Sequence, residues 1–322
     1  MAGSIKLIKR RIRSIASTAK LTKAMQMIAA ANMRKAVYQT RLAKPFATES
    51  ITFLNRFSRY IAQNKLSHPY LEEKPLQRVL GVVITSNRGL CGNYHSQLEK
   101  KILQVVNNPA TLIEYPLDTV GPQGAKHQGQ IEFEWLVLGR KGERIIRRLD
   151  QPIIASFTTL NEKVDEKELG VVYQMIKDAF DSGKYQKVIV FYTQHINSLR
   201  QEPSVGQLLP ISTQEIQRVV DSWQINFNDF TPRSTTHTNY LIEPGRGALL
   251  DTISLLLLKT LLYYFVLESK ASVESARMMA MKNASDSATE MGQLLTLAYN
   301  QLRQSKITNE IAEISAGRAA LE

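Results

Sequence analysis

Residues 281–302 read MKNASDSATEMGQLLTLAYNQL, and the spacing of their apolar positions decides the fold. Met281, Ala284, Ala288, Met291, Leu295, Ala298 and Leu302 step alternately by three and four, the heptad spacing that winds one helix around another. This seam lies inside a longer stretch, Ala248–Glu322, with no proline and only two glycines, Gly292 and Gly317. Nothing there forbids one helix, which over 75 residues would be about 110 Å long. A helix so long, with so narrow an apolar stripe, needs a partner.

The start of the chain has the same spacing. Ile5, Ile8, Ile12, Ile15, Ala19 and Thr22 step by three and four, Gln26 interrupts, and Ala29, Met33 and Ala36 resume the register. Ala43, Ala47, Ser50, Leu54, Phe57 and Ile61 keep the same frame, with Pro45 expected to break or bend the helix. An ordinary amphipathic helix rarely sustains such a pattern beyond about 25 residues, so the spacing predicts a coiled coil of the two ends. Its seam is rich in Ala, Thr and Ser, which keeps the pair thin.

The formal net charge of +12 is concentrated at one end. Residues 1–65 hold 14 Lys and Arg against the single acid Glu49, a net +13, and the remainder of the chain is −1. Solvated helix faces normally mix signs, and a face of one sign seeks an anionic partner: nucleic acid, a membrane surface or an acidic protein cavity. The single cysteine, Cys91, excludes an internal disulfide and fits a reducing compartment. No secretory signal is expected, because basic residues recur through the start with no apolar run between them. Leu249–Leu267 is greasy enough to suggest a membrane span. However, Asp251 and Lys259 interrupt it, at about 2.5–3.5 kcal/mol each in a bilayer centre, so burial in protein is favoured.

Between the two arms, Val79–Thr85 (VLGVVIT), Phe133–Leu138 and Val188–Thr193 (VIVFYT) read as buried strands. Ser96–Val106, Glu143–Leu149 and Leu169–Phe180 read as helices. Alternation of the two predicts a small Rossmann-like α/β domain with a parallel or mixed sheet. Asn107–Gln130 reads as a surface loop or insertion, Gln201–Arg233 has no clear period, and Tyr240–Ile242 is a candidate last strand. The expected division is therefore 1–66, 67–244 and 245–322.

No chemistry-bearing constellation emerges. SNRGLCGN after the first strand lacks the spacing of a dinucleotide loop, no GxxxxGK[ST] follows any strand, and a tight structural turn is the better reading. His68, His95, His127, His195 and His237 lack metal-ligand spacing to one another or to Cys91. No nucleophile elbow is present. No cofactor, metal or catalytic residue is expected. Phe57, among Phe46, Phe53 and Tyr60 on the basic arm, suits packing better than base stacking.

Three blocks resemble one known family. IKRRIRSIASTAKLTKAMQMIAAANMRKA (8–36), ITSNRGLCGNYH (84–95) and YLIEPG (240–245), the last followed by LLYYFVLESKASVESARMMAMKNASDSATEMGQLLTLAYNQLRQSKITNEIAEISAGRAAL (261–321), are similar to the gamma subunits of F-type ATP synthases. The resemblance implies a rotor shaft whose terminal helices form an antiparallel coiled coil within a hexamer of alpha and beta subunits. It implies a foot beside the epsilon subunit on the c ring, peripheral to the cytoplasmic face of a bacterial plasma membrane, in a complex that couples ion flow, such as protons, to ATP synthesis or hydrolysis. By the same resemblance, Lys23, Met25, Arg303, Gln304 and Thr308 meet the beta subunits, and Tyr240, Leu241, Ile242 and Glu243 lie at the foot. Asn87 stands where the family usually has Asp, Ser285-Asp286-Ser287 replaces Thr-Asp-Asn, and Gln301-Leu302 replaces Arg-Ala. The regulatory cysteine pair of chloroplast relatives is impossible with Cys91 alone. Two other classes stand as alternatives. A basic coiled coil binding nucleic acid predicts affinity that falls steeply with salt, and a nucleotide-dependent enzyme requires the phosphate loop that is missing.

Overall fold

The computed structural model describes residues 2–64, 69–112, 131–158, 166–211 and 246–319. In chain order the elements are α1 (Ala2–Asn64), β1 (Arg78–Ile84), α2 (Tyr94–Asn107), β2 (Glu132–Leu138), α3 (Arg140–Arg148), β3 (Ile153–Phe157), α4 (Glu166–Asp181), β4 (Lys187–His195), β5 (Gln201–Leu209) and α5 (Arg246–Ala319). They form two compact units. One comprises Met1–Ala31, Leu90–Gly92 and Glu274–Glu322, and the other Asn32–Gly89 and Asn93–Val273.

In the first unit α1 and α5 pair antiparallel. Ser285 Oγ donates to the Ala19 carbonyl at 3.5 Å and Gly292 lies against Ile15, so numbering rises on one helix as it falls on the other. The heptad positions of α1 are covered: Ile5, Ile8, Ile12, Ile15, Ala19, Thr22 and Gln26 are half-buried and Ala29 is buried. On α5 the expected seam holds at five of its seven positions. Met281, Ala284, Ala288, Leu295 and Ala298 are covered, as are Ser285, Gly292 and Tyr299 beside them, whereas Met291 is 55% exposed and Leu302 37%. The covered strip is thus wider than one heptad line and leans to the side of Ser285, Gly292 and Tyr299. Small Ser285 and Gly292 carry the contact instead of the larger Met291. Cys91 is buried in this unit.

Pro45 does not break α1, which continues to Asn64. Proline removes one N–H, so a single rung opposite the Arg41 carbonyl is missing while the turns on either side hold. In the second unit α1 buries Ala36 and also Thr40, whose hydroxyl is satisfied by the Ala36 carbonyl at 3.1 Å. The side chains of Leu54, Phe57 and Ile61 lie outside the described residues.

The second unit is a three-layer α/β sandwich. Its sheet has the order β3-β2-β1-β4-β5, parallel except for β5, which runs antiparallel to β4. Alternation along each strand sends side chains to two faces. Val79, Val83, Phe133, Trp135, Val137, Ile189 and Phe191 pack with Leu98, Ile102 and Val105 of α2 and Ile145 and Ile146 of α3. On the other face Leu80, Val82, Ile84, Leu136, Leu138, Val188 and Val190 meet Val172, Ile176 and Phe180 of α4 and the α5 residues Leu257, Leu258, Leu261, Leu262 and Phe265. The greasy part of α5 is thus a core helix, with Lys259 reaching out to lie 4.8 Å from the centre of the Tyr173 ring. Among the described residues no helix is long and apolar enough to cross a membrane.

The three expected strands and three expected helices all form, and two further strands join them. β3 and β5 are the edges of the sheet. β3 alternates half-buried and exposed residues, and β5 contains Pro203 and Gly206 in place of a β-branched run. An edge strand needs only one bonded side, so it tolerates proline and polar residues that a central strand would not. Gly81 stands beside Trp135 in the register of β1 and β2, where a Cβ would lie 2.5 Å from the indole. That absence of a side chain makes room for the largest ring of the core.

Candidate functional site

In a doubly wound sheet, ligands bind where neighbouring strands lead off in opposite directions, at their carboxyl ends. Here that place is between β1 and β4. The loop leaving β1 directs its acceptors to the first turn of α3. Thr85 Oγ1 accepts the Gly142 N–H at 2.8 Å, the Ser86 carbonyl accepts the Lys141 N–H at 3.2 Å, and Asn87 Oδ1 accepts the Arg140 N–H at 2.9 Å. The amide oxygen of Asn87 thus does what a carboxylate would do at this helix start. The loop closes on α3, as a structural turn does.

From the other side, α5 covers the strand ends. Ser272 Oγ donates to the Thr193 carbonyl at 2.8 Å, and Ser269 Oγ donates to the Ile84 carbonyl at 3.3 Å. Glu268 Oε2 accepts the backbone N–H of His195 at 2.8 Å, and the Tyr94 hydroxyl meets Ser269 Oγ at 3.0 Å. All of these α5 residues are buried. Burial holds the His195 imidazole below the usual histidine range, opposed by its own backbone. Among the described residues, buried Thr193 Oγ1 and His195 Nε2 have no hydrogen-bond partner.

The helix pair of the first unit presents a different surface. Leu21, Met27 and Ile28 of α1 and Met291, Leu294 and Leu297 of α5 are all exposed. Lys23 is exposed and Met25 half-buried among them. Nearer the end of α5, Ile307, Ile311 and Ile314 line up at helical spacing, all exposed, beside exposed Arg303, Gln304 and Thr308. The Thr308 hydroxyl donates to the Gln304 carbonyl at 3.0 Å. Isolated exposed apolar residues are ordinary, but large ones repeated along a thin helix pair mark a surface built to be covered.

A family model described as ATP synthase matches residues 4–321. The ATP synthase gamma chain of Dehalococcoides mccartyi strain BAV1 is 33% identical over 319 residues, 99% of each chain. That of Legionella pneumophila strain Corby is 32% identical over 321 residues, all of both chains. This chain belongs to the ATP synthase gamma-chain family. The fold agrees with a chain of the Euglena gracilis mitochondrial ATP synthase, solved with OSCP, F1 and c-ring. The TM-score is 0.62 at 15% identity, covering 100% of this chain and 95% of that one. A chain of the rotor of the same enzyme matches at TM-score 0.59, 14% identity, over 95% and 100%. The nucleic-acid alternative finds no support in these likenesses.

As a gamma-chain family member, the protein carries its expected contact residues in two groups that do not meet. Ala19 is level with Ser285, so Lys23 and Met25 lie to one side of that level and Arg303, Gln304 and Thr308 to the other, roughly 35 Å away along the helix axis. Tyr240, Leu241, Ile242 and Glu243 lie outside the described residues. The exposed stripe Ile307, Ile311, Ile314 was readable in the sequence as a second apolar line beside the seam. Glu268, Ser269 and Ser272 had a weaker signal, polar residues recurring in an otherwise greasy stretch.

Proposed function

We propose that this gamma-chain family member is the rotating central-stalk subunit of a rotary ATP synthase. It couples ion flow through a membrane c ring to ATP synthesis or hydrolysis in an alpha/beta head. The antiparallel pairing of the terminal helices, with a covered seam and large apolar residues turned outward, carries this reading. A shaft of this kind has to be stiff, thin and able to slide inside a surrounding sleeve. Residues 1–66 and 245–322 are its two arms, and 67–244 form its foot.

The partners are the alpha and beta subunits around the arms, with the epsilon subunit and the c ring at the foot. Lys23, Met25, Arg303, Gln304 and Thr308 face the beta subunits, and Tyr240–Glu243 face epsilon or the ring. The chain contributes no catalytic residues of its own. Each catalytic subunit changes state because the shaft face it meets favours one of its conformations over another. The complex sits peripherally on the cytoplasmic face of a bacterial plasma membrane. The net +13 of the N-terminal arm suits an acidic protein sleeve.

The test is purification of the tagged chain from membranes, its partners identified by mass. Recovery with alpha, beta, epsilon and c subunits is the expected result. Recovery as a free chain, or on nucleic acid, overturns the reading.

A further inference from the structure

The apolar contacts between α5 and the sheet set which face of the helix is buried. Hydrophobic contact has no direction, so the buried face Leu257, Leu258, Leu261, Leu262 and Phe265 chooses the side of α5 that meets the sheet but resists small rotations only weakly. Hydrogen bonds have direction and weaken steeply when bent. Glu268 and Ser272 are one turn apart on α5 and both meet the end of β4, at the His195 N–H and the Thr193 carbonyl. Ser269, next around the helix, meets the end of β1 at the Ile84 carbonyl and is itself met by the Tyr94 hydroxyl of α2. Two neighbouring strands are thus gripped by adjacent faces of one helix. A small roll of α5 would bend all three contacts at once, and bent hydrogen bonds are weak.

We propose that Glu268, Ser269 and Ser272 form a clamp that fixes the azimuth of α5 against the sheet, and so transmit torque from the α/β unit into the shaft helix. They are positioning residues, acting on the reaction only through that helix. The proposal rests on the rotor reading above. It assigns a mechanical role to the strand ends where other doubly wound sheets take a ligand.

Two measurements test it. In the full chain, Glu268→Ala should speed hydrogen exchange at the His195 amide by about tenfold. Glu268→Gln, which keeps an acceptor oxygen, should not. In vesicles carrying the assembled complex, Ser269→Ala and Ser272→Ala, made singly, should lower the ions pumped per ATP hydrolysed while hydrolysis persists. Ser272→Thr, which keeps the hydroxyl, should restore the ratio. A lost hydrogen bond that merely loosened the fold would lower assembly and hydrolysis together and leave the ratio unchanged. That result overturns the clamp, as does unchanged exchange at His195 in Glu268→Ala. A wild-type chain that neither enters the complex nor supports pumping overturns the rotor reading, and the clamp's role with it.

Discussion

Gly292 of α5 faces Ile15 of α1 so that a Cβ added to the glycine would lie 3.8 Å from Ile15 Cγ2. That is an ordinary van der Waals distance, so the glycine is not required by the contact. Its cost is in the helix itself, where glycine is about 0.5–1 kcal/mol less favourable than alanine. Gly292→Ala should therefore stabilise the helix pair by about that amount, read as a higher denaturant midpoint with unchanged slope. A lower midpoint would mean that α1 and α5 approach more closely than this.

Gly139 behaves in the opposite way. It has φ of +100°, and a Cβ would lie 2.6 Å from the Thr85 carbonyl oxygen. Both the backbone conformation and the contact exclude a side chain, and the neighbouring atom is backbone that cannot swing away. Gly139→Ala should destabilise by about 1–3 kcal/mol, by prying apart β1, β2 and the start of α3. Equilibrium unfolding of the variant beside wild type measures it.

His195 sets an acid limit. Burial lowers its pKa below the usual value near 6.5, so below that pH the unfolded chain binds a proton that the folded chain refuses. Its contribution is present above about pH 6.5 and is lost as pH falls. Unfolding free energy should drop between pH 7.5 and 5.5 in wild type, and less so in His195→Gln. Equal slopes in the two proteins would show that the imidazole keeps its ordinary affinity for protons when folded.

Glu134 adds a second acid-sensitive point lower on the scale. Burial raises its pKa, but hydrogen bonds from Lys184 at 2.7 Å and Tyr185 at 2.6 Å outweigh this, and the net direction is downward. Its stabilisation is present above the usual carboxylate range and is lost as pH falls through it. Glu134→Gln should thus cost stability at neutral pH and little at the acid end, as thermal unfolding at both pH values would reveal.

Met25 tests the proposed sliding surface. A methionine makes soft, weakly directional contacts, so no rotational angle is strongly preferred. Met25→Lys, beside exposed Lys23, adds a charge able to pair with a carboxylate of the sleeve at one angle only. Such a pair is worth about 0.2–1 kcal/mol when exposed, more when partly buried. Rotation should slow and pumping should fall relative to ATP turnover. Wild-type values of both in a normally assembled complex would remove Met25 from the sliding surface.

Local pattern alone determined the long helices, the side of α1 that is covered, and the three central strands. A heptad repeat and an unbroken apolar run are written in consecutive residues, and burial on one side or both follows directly from them. The sequence also held the family likeness in its terminal strings. Tertiary structure decided the rest. The edge strands β3 and β5 exist because a neighbour offers them one row of hydrogen bonds, which their own composition does not announce. On α5 Gly292 is covered beside the heptad line while Met291 on it is exposed, because the flank of the line that is covered depends on how the partner helix is docked. Ser269 finds the Ile84 carbonyl from 185 residues away, a pairing that no local period encodes. Spacing along the chain reports which face of an element is covered, whereas the atom that a buried hydroxyl meets depends on how distant elements are brought together.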